Sequence, residues 1–280
     1  MLLWPSLVGL EQRSPPQSLQ PPGQVVIHWQ VISGNWVLLP RRPIAIIHFL
    51  GGAFVATTPQ LTYRRLLEFL ADQGYAIVAT PFTPDFDHFY LAQTTLNQLE
   101  QTLTHLSQSL QLKRFLPIYG LGHSMGCKLH LLIGSLYAVH RAGNVLISFN
   151  NEQANQAIPG MEFLRPMVPL EFAPTPHETQ TLIRDRYQIR RNLLVKFADD
   201  TLDHTQRLAS LLEPKFPQLV TVYRQPGNHL TPLGPDLQWQ TGSAFSPFDA
   251  LGQWLRQEVY RELAQLERTI LHWLDPVRIN

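Results

Sequence analysis

A single cysteine, Cys127, stands among 280 residues. That excludes an internal disulfide framework and any multi-cysteine metal site, and it predicts a reducing, cytoplasmic setting. Charge is sparse as well, at 15% of residues with a net of +1. The 22 lysines and arginines are spread without a basic block, so no nucleic-acid surface is expected. No apolar run approaches the roughly 18 residues that a membrane-spanning helix requires. LHLLIGSLYAVH is interrupted by Gly134 and Ser135 and flanked by histidines. The opening MLLWPSLVGL is apolar but contains Pro5, lacks a basic start and leads to no small-residue cleavage site. Neither a signal peptide nor a transmembrane segment is therefore expected. His48, His88 and His123 fall in no HxH or HExxH pairing, so the sequence predicts no metal and no cofactor.

What is present describes a globular protein. An apolar fraction of 44% can fill a large interior, and the length suits one α/β domain with an inserted cap. Residues 1–24 include the Pro- and Gln-rich EQRSPPQSLQPPGQ and read as a flexible leader. The folded domain is expected over 25–280. Two β-rich runs, VVIHWQV and NWVLL, flank Ser33-Gly34 and predict a hairpin. Apolar runs then alternate with helical ones, IAIIHF, LTYRRLLEFLADQG, YAIVAT and LAQTTLNQLEQTLTHLSQSL, which is a βαβα pattern. In the first of these helices Leu66, Leu67 and Leu70 form the inward stripe and Gly74 the left-handed stop.

The alternation continues with FLPIYGLG, a helix from Met125 to about Val139, NVLISF, NLLVKF, a helix near His204 to Leu212, and LVTVYR. Strands apolar on both faces require a parallel sheet covered by helices on each side. The stretch between NVLISF and NLLVKF is too long for a plain connection, and it predicts a cap over about 151–191. A final amphipathic helix is expected from about Phe248 to Leu274.

The strand LPIYGL runs through Gly122-His123-Ser124-Met125-Gly126 into the helical CKLHLLIGSLY. A bare GxSxG match is weak, but strand, tight turn and helix are the context that gives it meaning. The flanking glycines let the chain turn sharply and force Ser124 outward as a nucleophile. A serine hydroxyl needs a base, and the base needs a carboxylate to hold its tautomer. After NLLVKF stand Asp199, Asp200 and Asp203. Asp200 is favoured as the acid, Asp199 is the alternative, and Asp203 suits a helix cap. The histidines that follow are His204, His229 and His272. His204 opens a helix and His272 lies inside one, which leaves His229, in the loop after LVTVYR where Gly227 permits a turn. Oxyanion donors are expected from the amide of Met125 and from the Gly51-Gly52 loop, through Gly52 and Ala53 with Phe54 as a further candidate. Phe54, His88 and Asn150 are candidates for lining a substrate site, against capping or turn roles for the two polar ones.

The set GHSMG, FADD and PGNH resembles the α/β-hydrolase superfamily in chain order. The blocks HFLGGAFVATTPQLTYRRLLEFLADQGYAIVATPF, GHSMGCKLHLLIGS and VKFADDTLDHT are similar to the domain-of-unknown-function family 1350 of photosynthetic organisms. The resemblance implies an α/β-hydrolase fold, with a mostly parallel central sheet, helices on both faces and an inserted cap. It departs at Leu50, where HGGG-type loops carry His, and at Phe197, where the acid strand usually ends in Gly. The expected function is a serine hydrolase for a carboxylic ester or thioester with an apolar, lipid-like group, because the Pro- and Met-bearing cap suits an adaptable greasy pocket. The competing reading is a non-catalytic member of the fold that binds a lipid, pigment or protein partner. An acyltransferase or perhydrolase would use the same three residues.

Overall fold

A computed structural model describes residues 27–108, 115–153, 171–234 and 254–276. The expected leader lies outside them. The hairpin is present as β1 (Gln30–Ile32) and β2 (Asn35–Leu38). Ser33 and Gly34 both take positive φ, at 49° and 80°, the turn geometry that matches the twist of two antiparallel strands. Six further strands follow: β3 (Ala45–Leu50), β4 (Tyr75–Ala79), β5 (Ile118–His123), β6 (Gly143–Ile147), β7 (Asn192–Phe197) and β8 (Val220–Gln225). They assemble in the order β1-β2-β4-β3-β5-β6-β7-β8. The hairpin joins antiparallel through β2 and β4, and all pairs from β4 to β8 are parallel.

Helices cover both faces, as strands buried on both sides require. They are α1 (Pro59–Thr62), α2 (Arg64–Asp72), α3 (His88–Gln108), α4 (Met125–Leu136), α5 (Pro176–Arg186), α6 (Thr205–Leu212) and α7 (Trp254–Leu274). On one face Leu66, Leu67 and Leu70 of α2 pack with Leu263, Leu266 and Ile270 of α7 over Phe49, Leu121 and Val195. On the other, α3 and α4 bring Leu91, Leu96, Leu99, Leu129 and Leu132 against Ile46, Leu50 and Val78. β8 departs from the buried pattern expected of it. Val222 and Tyr223 are exposed because this strand is the sheet's edge.

The expected helix LTYRRLLEFLADQG is broken at Tyr63, whose backbone (φ −118°, ψ 19°) separates α1 from α2. Of the expected cap, residues 154–170 lie outside the described residues. The rest contains α5, opened by a capping box between Thr175 and Glu178 and packed through Ile183 onto Cys127 and Leu131 of α4. Among the described residues no helix is long and apolar enough to cross a membrane.

The strand order reverses at β3, since β4 lies on one side of it and β5 on the other. Such a switch point leaves a crevice outside the C-terminal ends of the two strands. The Gly51-Gly52 loop follows β3 there, and Ser124 follows β5.

Candidate active site

Ser124 occupies the turn between β5 and α4 with φ 52° and ψ −116°, a conformation that non-glycine residues rarely hold and that strained functional turns retain. The two glycines explain how it survives. A Cβ on Gly122 would lie 2.7 Å from the Cys127 amide, and one on Gly126 would lie 2.0 Å from the Leu50 carbonyl oxygen. Only bare backbone lets the elbow close on itself and on β3. The Ser124 amide donates to the Ile147 carbonyl at 2.9 Å, which ties the turn to β6, and the side chain is left partly accessible.

The three aspartates after β7 separate by environment. Asp199 is exposed and donates its amide to the Gly227 carbonyl at 3.0 Å. Asp203 accepts from the Thr205 amide at 2.8 Å and pairs with Lys196 at 3.0 Å. Asp200 is buried, accepts the Leu202 amide on Oδ1 at 3.0 Å, and meets His229 Nδ1 with Oδ2 at 2.9 Å. Burial pushes the Asp200 carboxyl up, yet the hydrogen bond and charge of His229 with the Leu202 amide outweigh it and hold it below the ordinary carboxylate value.

His229 hangs from a loop bent at Gly227 (φ 122°). The Asn228 side chain accepts the Leu230 amide at 2.9 Å, and the Asn228 amide donates to Thr231 Oγ1 at 3.0 Å. His229 Nε2 then lies 3.0 Å from Ser124 Oγ. With Asp200 ionised, Nδ1 carries the proton donated to it, so Nε2 presents a lone pair to the serine hydroxyl. His204 is engaged elsewhere, with Glu152 at 3.0 Å and the Asn151 amide at 3.1 Å. His272 is exposed on α7.

The amides expected to receive an oxyanion divide. Gly52 N–H already donates to the Tyr63 hydroxyl at 2.8 Å. Ala53 opens a short 3-10 turn and Met125 opens α4. An amide at that position has no acceptor within its own helix, and neither has one elsewhere among the described residues. Of the candidate lining residues, Phe54 is 69% exposed. The Asn150 side chain accepts the Glu152 amide at 2.8 Å in a local turn. His88 is buried and stacked on Phe172 with both ring nitrogens unpartnered.

A profile of the family described as Protein of unknown function (DUF1350) matches residues 28–276. The chain belongs to this family. No curated protein matches the DUF1350 chain, but solved structures do. It is similar to esterase B of Lactobacillus rhamnosis, with a TM-score of 0.55 and 13% identity over 89% of this chain and 88% of that one. Dienelactone hydrolase of Anabaena variabilis gives 0.53 and 14%, over 89% and 96%. The fluorophosphonate-binding serine hydrolase F of Staphylococcus aureus gives 0.51 and 14%, over 82% and 91%. The DUF1350 chain thus has the α/β-hydrolase fold.

Two buried side chains of this DUF1350 protein complete the surroundings of the serine. Tyr63 reaches in from the break between α1 and α2, and its hydroxyl lies 2.8 Å from His123 Nδ1. His123 Nε2 lies 2.9 Å from the His229 carbonyl oxygen. Burial lowers the His123 pKa to about 3 and pushes the Tyr63 phenol up, so both are neutral near pH 7. The signal in the sequence is that Tyr63 shares the helical spacing of Leu66, Leu67 and Leu70. It therefore faces inward with a hydroxyl that needs a partner.

A second polar group lies deeper in the DUF1350 fold. His48, Gly120, Asn144 and Asn192 stand in register across β3, β5, β6 and β7. His48 contacts Thr80 and Arg141, and Asn144 and Asn192 share the Tyr187 hydroxyl. Among the described residues no group of three or more His, Cys, Asp or Glu side chains is placed to hold a metal ion.

Proposed function

We propose that this chain is a serine hydrolase acting on a carboxylic ester or thioester with an apolar acyl group. The observation that carries the reading is the hydrogen-bonded succession Ser124, His229, Asp200 at 3.0 and 2.9 Å, at the switch point where this architecture places ligands. His229 Nε2 takes the Ser124 proton as Oγ attacks the substrate carbonyl carbon. The carbonyl oxygen becomes an oxyanion and accepts hydrogen bonds from the free amides of Ala53 and Met125, which are fixed before the charge develops. His229 then passes its proton to the departing alcohol or thiol. A water repeats the sequence on the acyl-enzyme and restores the serine. Throughout, Asp200 keeps the proton on Nδ1 and offsets the charge of the imidazolium.

The apolar acyl group is supported by the rim. Phe54 follows the Ala53 amide, Leu202 follows the acid loop and Leu230 follows the base, and they are 69%, 43% and 37% exposed. Exposed apolar side chains close in sequence to the candidate site residues would suit a greasy substrate. The names of structural relatives, an esterase and a fluorophosphonate-binding serine hydrolase, agree with the reaction class proposed. A fluorophosphonate probe is expected to label the purified chain once, and Ser124→Ala is expected to abolish labelling and turnover of a short-chain p-nitrophenyl ester. A wild-type chain inert to both, or a labelled alanine variant, contradicts the assignment.

A further inference from the structure

The polar contacts around Tyr63 and His123 form a one-way chain. A tyrosine hydroxyl has one proton to give. That of Tyr63 accepts the Gly52 amide at 2.8 Å, so its own proton points to His123 Nδ1 at 2.8 Å. The His123 proton must then sit on Nε2, where it donates to the His229 carbonyl at 2.9 Å. The opposite tautomer fails twice. It would leave the Tyr63 proton without an acceptor, and it would set the Nε2 lone pair against a carbonyl oxygen at hydrogen-bond distance. Burial removes the third possibility, a charged imidazolium, by lowering the His123 pKa to about 3. The chain joins the loop after β3, the break between α1 and α2, the residue before Ser124 and the loop after β8. Contact is close throughout. A Cβ on Gly52 would lie 3.1 Å from His123 Nδ1 and 3.4 Å from Ser124 Cβ.

We propose that Tyr63 and His123 are positioning residues for the reaction at Ser124: they register His229 through its backbone carbonyl and hold Gly52 against the elbow so that the next amide, Ala53, stays free. The inference rests on the reading of Ser124 as a nucleophile. Both side chains are buried. Each acts by fixing backbone whose neighbours do, and buried hydrogen bonds suit that task because a donor or acceptor left unmet is costly. The break at Tyr63 belongs to the same device. A continuous helix through LTYRRLLEF would satisfy local propensity, and the chain gives it up where the phenol must reach the elbow.

The test uses the full chain, Tyr63→Phe, His123→Leu and His123→Gln. Loss of one neutral hydrogen bond supporting the base is expected to lower kcat on a p-nitrophenyl ester about tenfold with KM within about twofold. Glutamine, which carries a donor and an acceptor at similar reach, is expected to restore most of it. Unchanged kcat in Tyr63→Phe and His123→Leu overturns the proposal, and so does a loss that glutamine fails to repair. A second readout needs neither turnover nor a foldable variant. Side-chain nitrogen NMR of the wild-type chain is expected to show His123 neutral with its proton on Nε2, and a proton on Nδ1 overturns the chain of bonds outright. A wild-type chain that shows this tautomer yet ignores both ester and probe refutes the serine hydrolase reading, and with it the positioning role, while leaving the contacts themselves intact.

Discussion

Asp199 and Asp200 are neighbours in the chain and opposites in situation. Asp199 is solvated and contributes only its amide to the loop, whereas Asp200 is buried with both carboxylate oxygens occupied. If Asp200 holds the tautomer of His229, replacing it by Asn presents an N–H or a weaker acceptor to Nδ1 and turns the imidazole the wrong way. Asp200→Asn is expected to lower kcat on a p-nitrophenyl ester by about 10⁴, the size of the effect when a triad acid is converted to its amide. Asp199→Asn is expected to stay within about twofold, as exposed substitutions do. Steady-state rates of the two variants, with melting curves to verify folding, decide the matter. A large loss in Asp199→Asn with none in Asp200→Asn reverses the assignment. Residues of this kind were legible only as a short list. Sequence order leaves Asp200 and its alternative Asp199, with Asp203 suited to a cap, but which carboxylate turns inward depends on the loop's bend toward Gly227, which lies after β8, more than twenty residues on. Tyr63 and His123 were less legible still, because each looks ordinary locally, one inside a helical stripe and the other inside a motif whose neighbours attract the attention.

Elements were easier to read because their signals are periodic. Short apolar runs marked the strands, and the inward leucines marked α2, which stops two residues before Gly74 with its φ of 96°. Two departures have clear causes. β8 is exposed because helices cover the two faces of the sheet less fully at its edge, and α1 parts from α2 because tertiary contacts of one phenol override propensity. The contact between α4 and β3 is the tightest of these element-level features. A Cβ on Gly126 would meet the Leu50 carbonyl oxygen at 2.0 Å and its carbonyl carbon at 2.6 Å. Both are backbone, so neither can rotate away. Gly126→Ala therefore forces α4 off the sheet and carries Ser124 with it. A destabilisation of about 3 kcal/mol, the upper end for overpacking, is expected, together with loss of probe labelling. Denaturant melts compared with those of Gly134→Ala give the scale, since there the added carbon meets the Tyr187 ring and an Ile189 side chain at 2.7 and 2.8 Å. Side chains yield more readily than backbone, so the Gly134 variant is expected to lose less. Equal losses contradict the argument.

At the scale of the whole molecule the fold buries imidazoles that cannot be charged. Burial places His48 and His130 well below the ordinary histidine value and lowers His88 and His123 to about 3. The unfolded chain protonates the same groups near pH 6.5. Between these limits the unfolded state binds more protons than the native state, so the histidines' share of stability is complete above about pH 6.5 and is lost as pH falls toward the folded values. Each histidine contributes a slope of up to about 1.4 kcal/mol per pH unit. Asp200, with its lowered carboxyl, adds loss in the same direction at lower pH. Melting midpoints are expected to drop steeply from pH 6 to 5, and a midpoint unchanged over that interval would contradict the buried neutral state; above pH 7 buried Lys128, lowered to about 7, adds a further rise. His88 offers the sharpest control. Its ring stacks on Phe172 with centroids 4.5 Å apart while both nitrogens lack partners. An unmet buried polar group costs about 1–3 kcal/mol, and a phenyl ring keeps the stack without it. His88→Phe is therefore expected to match or exceed the parent's stability at pH 7 and to reduce the acid slope by about one proton. A variant less stable at pH 7 with an unaltered slope would show instead that a hydrogen bond to His88 is being made.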